Sequence, residues 1–168
     1  MFAKHGYDRT SIARIARAAG ISQGLLYIYF PGKDALLEAI FEQSMRDVEE
    51  SFARADAAAS PGERVEQLVR GAFDILKRNQ DFWRLSYGVR MQPGVLSGLG
   101  KRLTDWTAAI RATLGRYLAE AGVKEPELEA EVLFAVIDGA SQHFVLDPHR
   151  YPLDRVADRI ISRFTSSG

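Results

Sequence analysis

The stretch Thr10–Leu37, TSIARIARAAGISQGLLYIYFPGKDALL, decides how this chain is read. It spells two short helices joined by a tight turn, and a third helix that begins just after Pro31. Thr10 is placed to cap the first helix, whose apolar face is marked by Ile12, Ile15, Ala16 and Ala19 at i, i+3, i+4 and i+7. Gly20 stands where a helix needs a left-handed residue to stop. Ser22 caps a second, two-turn helix, and Pro31 closes it from behind, because the residue before a proline is held out of the helical region. Two short helices around a glycine-containing turn form the helix-turn-helix pattern, in which the second helix enters the major groove of DNA.

Outward from this stretch the pattern stays helical. A long helix is expected from about Gly32 to Ala57, with Leu36, Leu37, Ile40, Phe41, Met45, Val48 and Phe52 at helical spacing. Ser60-Pro61 is a cap followed by proline at the first helical position, and opens a helix to about Asn79. A short aromatic helix follows near Gln80–Gly88, then a turn at Met91-Gln92-Pro93-Gly94. Further helices are expected over about Lys101–Ala121, Pro126–Leu146 and Pro152–Phe164. Strand alternation is absent, so the expected fold class is all-α. The one domain boundary the pattern offers lies inside the long helix, which divides the chain into residues 1–46 and 47–168.

Composition narrows the function classes. An apolar share of 46% with 26% charged residues suits a globular protein. There is no cysteine, hence no disulfide and no thiolate metal site, which fits a reducing cytoplasm. No apolar run approaches the ~18 residues of a membrane span, so no membrane partner is expected and the localisation expected is cytoplasmic. Net charge is zero, yet residues 1–33 hold Lys4, Arg9, Arg14, Arg17 and Lys33 against Asp8 alone. A basic head on an acidic body is the distribution that local phosphate binding needs. The three histidines, His5, His143 and His149, are far apart and lack metal-ligand spacing. No glycine-rich loop follows a strand, so the expectation is no catalytic residue, no metal and no cofactor.

Within the second helix, Ile21, Leu26 and Phe30 are expected to face inward, leaving Gln23, Gly24, Leu25, Tyr27 and Ile28 outward. Gln23 can pair bidentately with adenine, and Leu25 or Ile28 can meet a thymine methyl. Gly24 removes a side chain where the helix must approach the groove. Tyr27, Tyr29, Thr10, Ser11 and Lys33 read as phosphate contacts, with Lys33 at the start of the long helix, where free N–H groups also favour an anion.

The run Gly20–Leu37 resembles the DNA-binding signature of the TetR family of bacterial transcriptional regulators: Tyr27, Tyr29, Phe30, Lys33, Asp34, Leu36 and Leu37 fill the family's aromatic-x-aromatic-Phe, lysine, acid and leucine places. The upstream GYDRTSIARIARAAG is similar to the first helix of that motif. The resemblance is specific over roughly residues 1–45 and only architectural beyond. Phe2-Ala3-Lys4-His5-Gly6-Tyr7 corresponds to the end of a helix that the family carries ahead of the motif, so that first helix is expected to be largely missing from this sequence.

The resemblance implies an N-terminal helix-turn-helix DNA-binding domain and a C-terminal helical domain for ligand binding and dimerisation. Aromatics crowd the middle of the chain, and the pocket expected for a small apolar or amphipathic effector comprises Phe73, Phe82, Trp83, Tyr87, Met91, Trp106, Phe134 and Asp138. On the last two helices Leu133, Val136, Ile137, Ala140 and Phe144 form one stripe, and Val156, Ile160, Ile161 and Phe164 another. The resemblance implies that these build a two-fold four-helix bundle between subunits, with Leu133, Ile137, Ala140, Phe144, Val156, Ile160 and Phe164 at the interface. The reading is a ligand-responsive regulator, most often a repressor in this family, that binds a palindromic double-stranded DNA operator as a homodimer. The alternative is a small-molecule-binding helical protein that has lost DNA binding with its first helix.

Overall fold

The computed structural model describes residues 1–57, 60–90 and 100–165. Among these residues it is built of helices alone: α1 Phe2–His5, α2 Ile12–Ala19, α3 Gln23–Tyr29, α4 Lys33–Asp56, α5 Pro61–Arg78, α6 Gln80–Arg90, α7 Gly100–Glu120, α8 Pro126–Leu146 and α9 Leu153–Thr165. The expected helices stand within a few residues of their expected ends, and the all-α class holds. Two compact units are formed, Met1–Arg46 with Asn79–Gly100, and Asp47–Arg78 with Lys101–Gly168.

In the first unit the start and stop signals act as local chemistry requires, with one exchange of role. Ser11, not Thr10, is the N-cap of α2: its hydroxyl accepts from the Arg14 amide at 3.3 Å. Thr10 is instead turned inward, 1% exposed, and its Oγ1 donates to the Gly6 carbonyl at 2.7 Å. Gly20 takes φ 70°, ψ 23° and ends α2, while the Ile21 amide reaches back to the Ala16 carbonyl at 3.0 Å. Ser22 caps α3 by accepting from the Leu25 amide at 3.1 Å. Ile12, Ala16 and Leu26 form the core between α2 and α3, with Ile15, Phe30 and Leu36 packed around it.

The turn after α1 depends on glycine. Gly6 takes φ 82°, ψ 156°, a region closed to side-chain-bearing residues, although the space around it is open. Gly6→Ala should therefore destabilise the chain by about 1–3 kcal/mol through backbone strain alone. Gly20→Asn, in the ordinary left-handed region that asparagine enters, should cost much less. Urea denaturation of the two variants checks the contrast.

Aromatic side chains tie this unit together. The Phe2 and Tyr7 rings meet at a tilt of 36° with centroids 5.3 Å apart, and α1 packs on α6. From α4 to α6 a run of rings continues: Phe41 to Phe82 at 5.2 Å, Phe82 to Trp83 at 5.2 Å and Trp83 to Tyr87 at 6.0 Å.

The second unit has its core on α5, α8 and α9. Ser60 and Glu63 form a reciprocal capping box at the start of α5, which is the physical content of the Ser-Pro signal in the sequence. Val65, Leu68, Val69, Phe73, Ile75 and Leu76 then bury one broad face of that helix. Against it packs α9 through Leu153, Ala157, Ile160, Ile161 and Phe164. Arg70 bridges Glu66 at 2.8 Å and Asp158 at 3.1 Å across the α5–α9 seam. On α7, Tyr117 is fully buried and donates its hydroxyl proton to Asp56 at the end of α4. Burial and that bond push the Tyr117 phenol up to about 12, and the same bond, with Arg116 at 3.2 Å, holds the Asp56 carboxyl below its usual range.

α8 is apolar on nearly every side. Ala130, Leu133, Ala140, Phe144 and Val145 are buried in the subunit's own core, whereas Leu128 (58%), Val132 (37%), Val136 (40%) and Leu146 (81%) are exposed. Ile137 and Val156 are half-buried, and Ile160 and Phe164 are core. Of the stripe expected along this helix, only Val136 lies on its outer face. A helix with apolar residues all round has no periodicity from which to choose the outer stripe.

Candidate functional site

The two-turn helix α3 stands proud of the fold. Only Leu26 is buried; Gln23 and Gly24 are exposed, and Leu25 (41%), Tyr27 (46%), Ile28 (77%) and Tyr29 (70%) reach solvent. Ile21, expected inward, is 37% exposed, while Phe30 is half-buried at the helix end. A Cβ at Gly24 would meet nothing within 4 Å, so the fold itself does not require glycine there.

The expected phosphate contacts divide. Ser11 is exposed at the N-terminus of α2, and Tyr27 and Tyr29 are exposed on α3. Thr10 is enclosed and bonded within the protein, which removes it from the surface. Lys33 is occupied: its Nζ donates to the Tyr7 carbonyl at 3.0 Å and lies 4.1 Å from the centre of the Tyr7 ring. The Tyr7 hydroxyl in turn donates to Asp34, and burial with that bond raises its pKa above the ordinary phenol value. Lys33 thus clamps α4 to the turn after α1. Lys33→Met keeps the stem and loses the charge, and should lower stability by about 1–2 kcal/mol in the absence of any DNA. An unchanged denaturation midpoint would instead leave Lys33 as a surface cation.

A cationic cluster was not singled out as a site from the sequence. Lys4, His5, Arg9 and Arg14 line one cavity of about 360 Å³ at the turn between α1 and α2. Arg9 Nε donates to the His5 carbonyl at 3.2 Å and Arg14 Nη1 to the Arg9 carbonyl at 3.0 Å, which holds both guanidinium groups over that turn. Partial desolvation, then Arg14 and Lys4, lowers the His5 pKa below the ordinary imidazole value. The charge surplus of the first 33 residues was the available signal; only the fold gathers these members around one cavity. Such a cluster suits an anion, and a phosphate in particular.

The expected effector residues fall in both units. Phe82, Trp83 and Tyr87 belong to the first, on α6, each half-buried, with the Arg90 guanidinium 4.9 Å from the Tyr87 ring. The Trp83 indole N–H is buried with no hydrogen-bond partner among the described residues. In the second unit Phe73 is 2% exposed and belongs to the core. Trp106 and Phe134 are half-buried there, with Arg111 5.4 Å from the Phe134 ring, and Asp138 accepts from Gln142 at 2.8 Å. Met91 lies outside the described residues. A cavity of about 470 Å³ in the second unit is lined by charged groups, among them Arg54, Glu63, Arg70 and Asp74, and by none of the expected aromatics. Among the described residues no group of three or more His, Asp or Glu is placed to hold a metal, and no helix is long and apolar enough to cross a membrane.

Comparison with known proteins agrees with this geometry. Residues 1–40 match the family described as bacterial regulatory proteins, tetR family, and residues 61–167 match the BetI-type transcriptional repressor C-terminal family. The HTH-type transcriptional regulator BetI 1 of Chromohalobacter salexigens is 31% identical over 157 residues, covering 89% of this chain and 76% of that protein. Among solved structures, the regulator FadR of Bacillus subtilis in complex with stearoyl-CoA has the same fold, with a TM-score of 0.80 at 20% identity, over 98% of this chain and 92% of that one. So does AibR in complex with isovaleryl coenzyme A and operator DNA, with a TM-score of 0.77 at 21% identity, over 98% of this chain and 92% of that one. With its helix-turn-helix in place, and with these two family matches and a relative of 31% identity, this chain belongs to the tetR family of bacterial transcriptional regulators.

Proposed function

We propose that this chain is a ligand-responsive repressor that binds a palindromic operator as a homodimer in the cytoplasm. DNA binding is assigned to residues 1–46, and effector binding and dimerisation mainly to residues 47–168. One observation carries the reading: a short helix with unencumbered outward side chains stands in the same unit as a four-base cluster over the neighbouring turn. The helix is suited to a major groove and the cluster to the flanking phosphates, the two kinds of contact that specify and position. Two copies related by a two-fold axis meet two half-sites, hence the palindrome.

The surface assigned to the second copy is the outer stripe of α8, Leu128, Val132 and Val136, because an all-round apolar helix on a folded subunit calls for a cover. For the effector we assign an amphipathic molecule of the acyl-coenzyme A class, the kind named for two proteins of the same fold. Trp83, whose buried N–H has no partner among the described residues, is the donor assigned to it.

Fluorescence anisotropy with the duplex lying upstream of the chain's own gene, at about 0.15 M salt, tests the reading. The duplex should be bound at least 10³-fold more tightly than a random one, and palmitoyl-coenzyme A should weaken that binding about 5–150-fold. Equal affinity for both duplexes would refute the operator. Ligand binding without any duplex binding would favour the alternative of a small-molecule-binding protein.

A further inference from the structure

We infer that α3 reads its half-site through thymine 5-methyl groups, with Ile28 as the chief specificity-determining side chain. The inference rests on the DNA-binding reading above and deepens it by naming the chemistry that is recognised.

α3 lacks every charged side chain. Its sequence, QGLLYIY, holds no arginine, lysine, aspartate or glutamate. Arginine or lysine paired with guanine O6 and N7 is the commonest specific contact in a major groove, and a carboxylate is what accepts from cytosine N4. Neither contact can be made from this helix. One amide, Gln23, is available at its first position, and it suits adenine. Charged readout of G·C pairs is therefore missing from α3, while its amide suits an A·T pair.

What α3 exposes points the same way. Leu25 and Ile28, at i and i+3 on α3, lie together on its outward side, 41% and 77% exposed, and Ile21, just before the helix, is 37% exposed. A pair of branched aliphatic side chains held in water by a rigid two-turn helix is costly unless a partner covers it. In a major groove the only apolar group on a base edge is the 5-methyl of thymine. Ile28 is the most exposed of the three and lies opposite the buried Leu26, so it is the one that faces most directly away from the protein. Neighbouring Gly24 carries no side chain to hold the helix away from the bases.

Replacing thymine by uracil tests this directly, because it deletes the methyl and leaves every hydrogen-bonding group of the base pair in place. The duplex is the one selected by this chain from a random-sequence library. At one or more thymines in each half-site the change to uracil should weaken binding about four-fold, the equivalent of ~0.8 kcal/mol for one buried methyl-sized group. Ile28→Ala should bind the thymine and uracil duplexes equally at that position. Ile28 is mostly exposed, so the variant retains its fold. A selected duplex that is indifferent to uracil at every position, or an Ile28→Ala variant that still discriminates thymine from uracil as the wild type does, overturns the inference and leaves DNA binding standing. A library from which nothing is enriched overturns the DNA-binding reading and the inference with it.

Discussion

Aspartate at both Val132 and Val136 should yield a folded, helical monomer whose operator affinity is lower by about 10²–10⁴-fold. Both positions are on the outward side of α8, 37% and 40% exposed, so the carboxylates can reach water in the free subunit. In a dimer joined through this face the same charges would meet their own copies across a two-fold axis, in a place without solvent. Loss of the dimer then reduces operator binding to one head at a time. The second contact is no longer tethered, and its effective concentration falls from millimolar to that of free protein. Sedimentation, circular dichroism and anisotropy on the same sample check the three parts. A wild-type chain that sediments as a monomer at micromolar concentration would remove the basis of the expectation. A charge at Phe164 would not serve as the test, because that ring is in the subunit's own core and the variant would unfold.

The second large effect is expected at Phe73. Its ring is 2% exposed on α5, between Val69 and Leu76, and Phe73→Ala should cost about 3–5 kcal/mol of stability. For a chain of this length that is a fall of roughly 10 °C in melting temperature. The ring was expected to line an effector pocket, and the two roles give opposite results. A pocket aromatic can be removed with little loss of stability and a large loss of ligand affinity. A core aromatic gives the reverse. Thermal melts with and without palmitoyl-coenzyme A, on Phe73→Ala and wild type, separate them. An unchanged melting temperature in the variant would return Phe73 to the pocket.

Local signals were legible in the sequence, and contacts between distant residues were not. Gly20, Ser22 and the Ser60 cap were legible because each acts on its own backbone within a few residues, and the structure has each in place, Ser60 with Glu63 as a reciprocal partner that the sequence reading did not name. Helix extents were legible from Leu, Ile, Val and Phe at helical spacing. Thr10 and Ser11 are adjacent hydroxyls, and only the packing of the turn after Gly6 decides that Ser11 caps and Thr10 is buried. The internal partner of Lys33 is 26 residues away along the chain, beyond any local signal. The same holds for the gathering of Lys4, His5, Arg9 and Arg14. On α8 the apolar residues surround the axis, so the sequence offers several stripes of equal merit, and burial alone separates the inner Leu133 and Phe144 from the outer Leu128 and Val132.

The slight attachment of α3 has a consequence for motion. One buried side chain, Leu26, anchors it, against six that anchor α5. Opening α3 alone therefore exposes little apolar surface, and its free energy of opening lies far below that of the whole fold. Its backbone amides from Leu26 to Phe30 should trade hydrogen for deuterium through that small local excursion, while those from Val69 to Leu76 wait for a global event. A groove that grips α3 on its bare side supplies the contacts that the protein itself withholds. Amide protection of α3 should then rise sharply on the duplex, and part of the free energy of docking goes into completing the helix that does the reading.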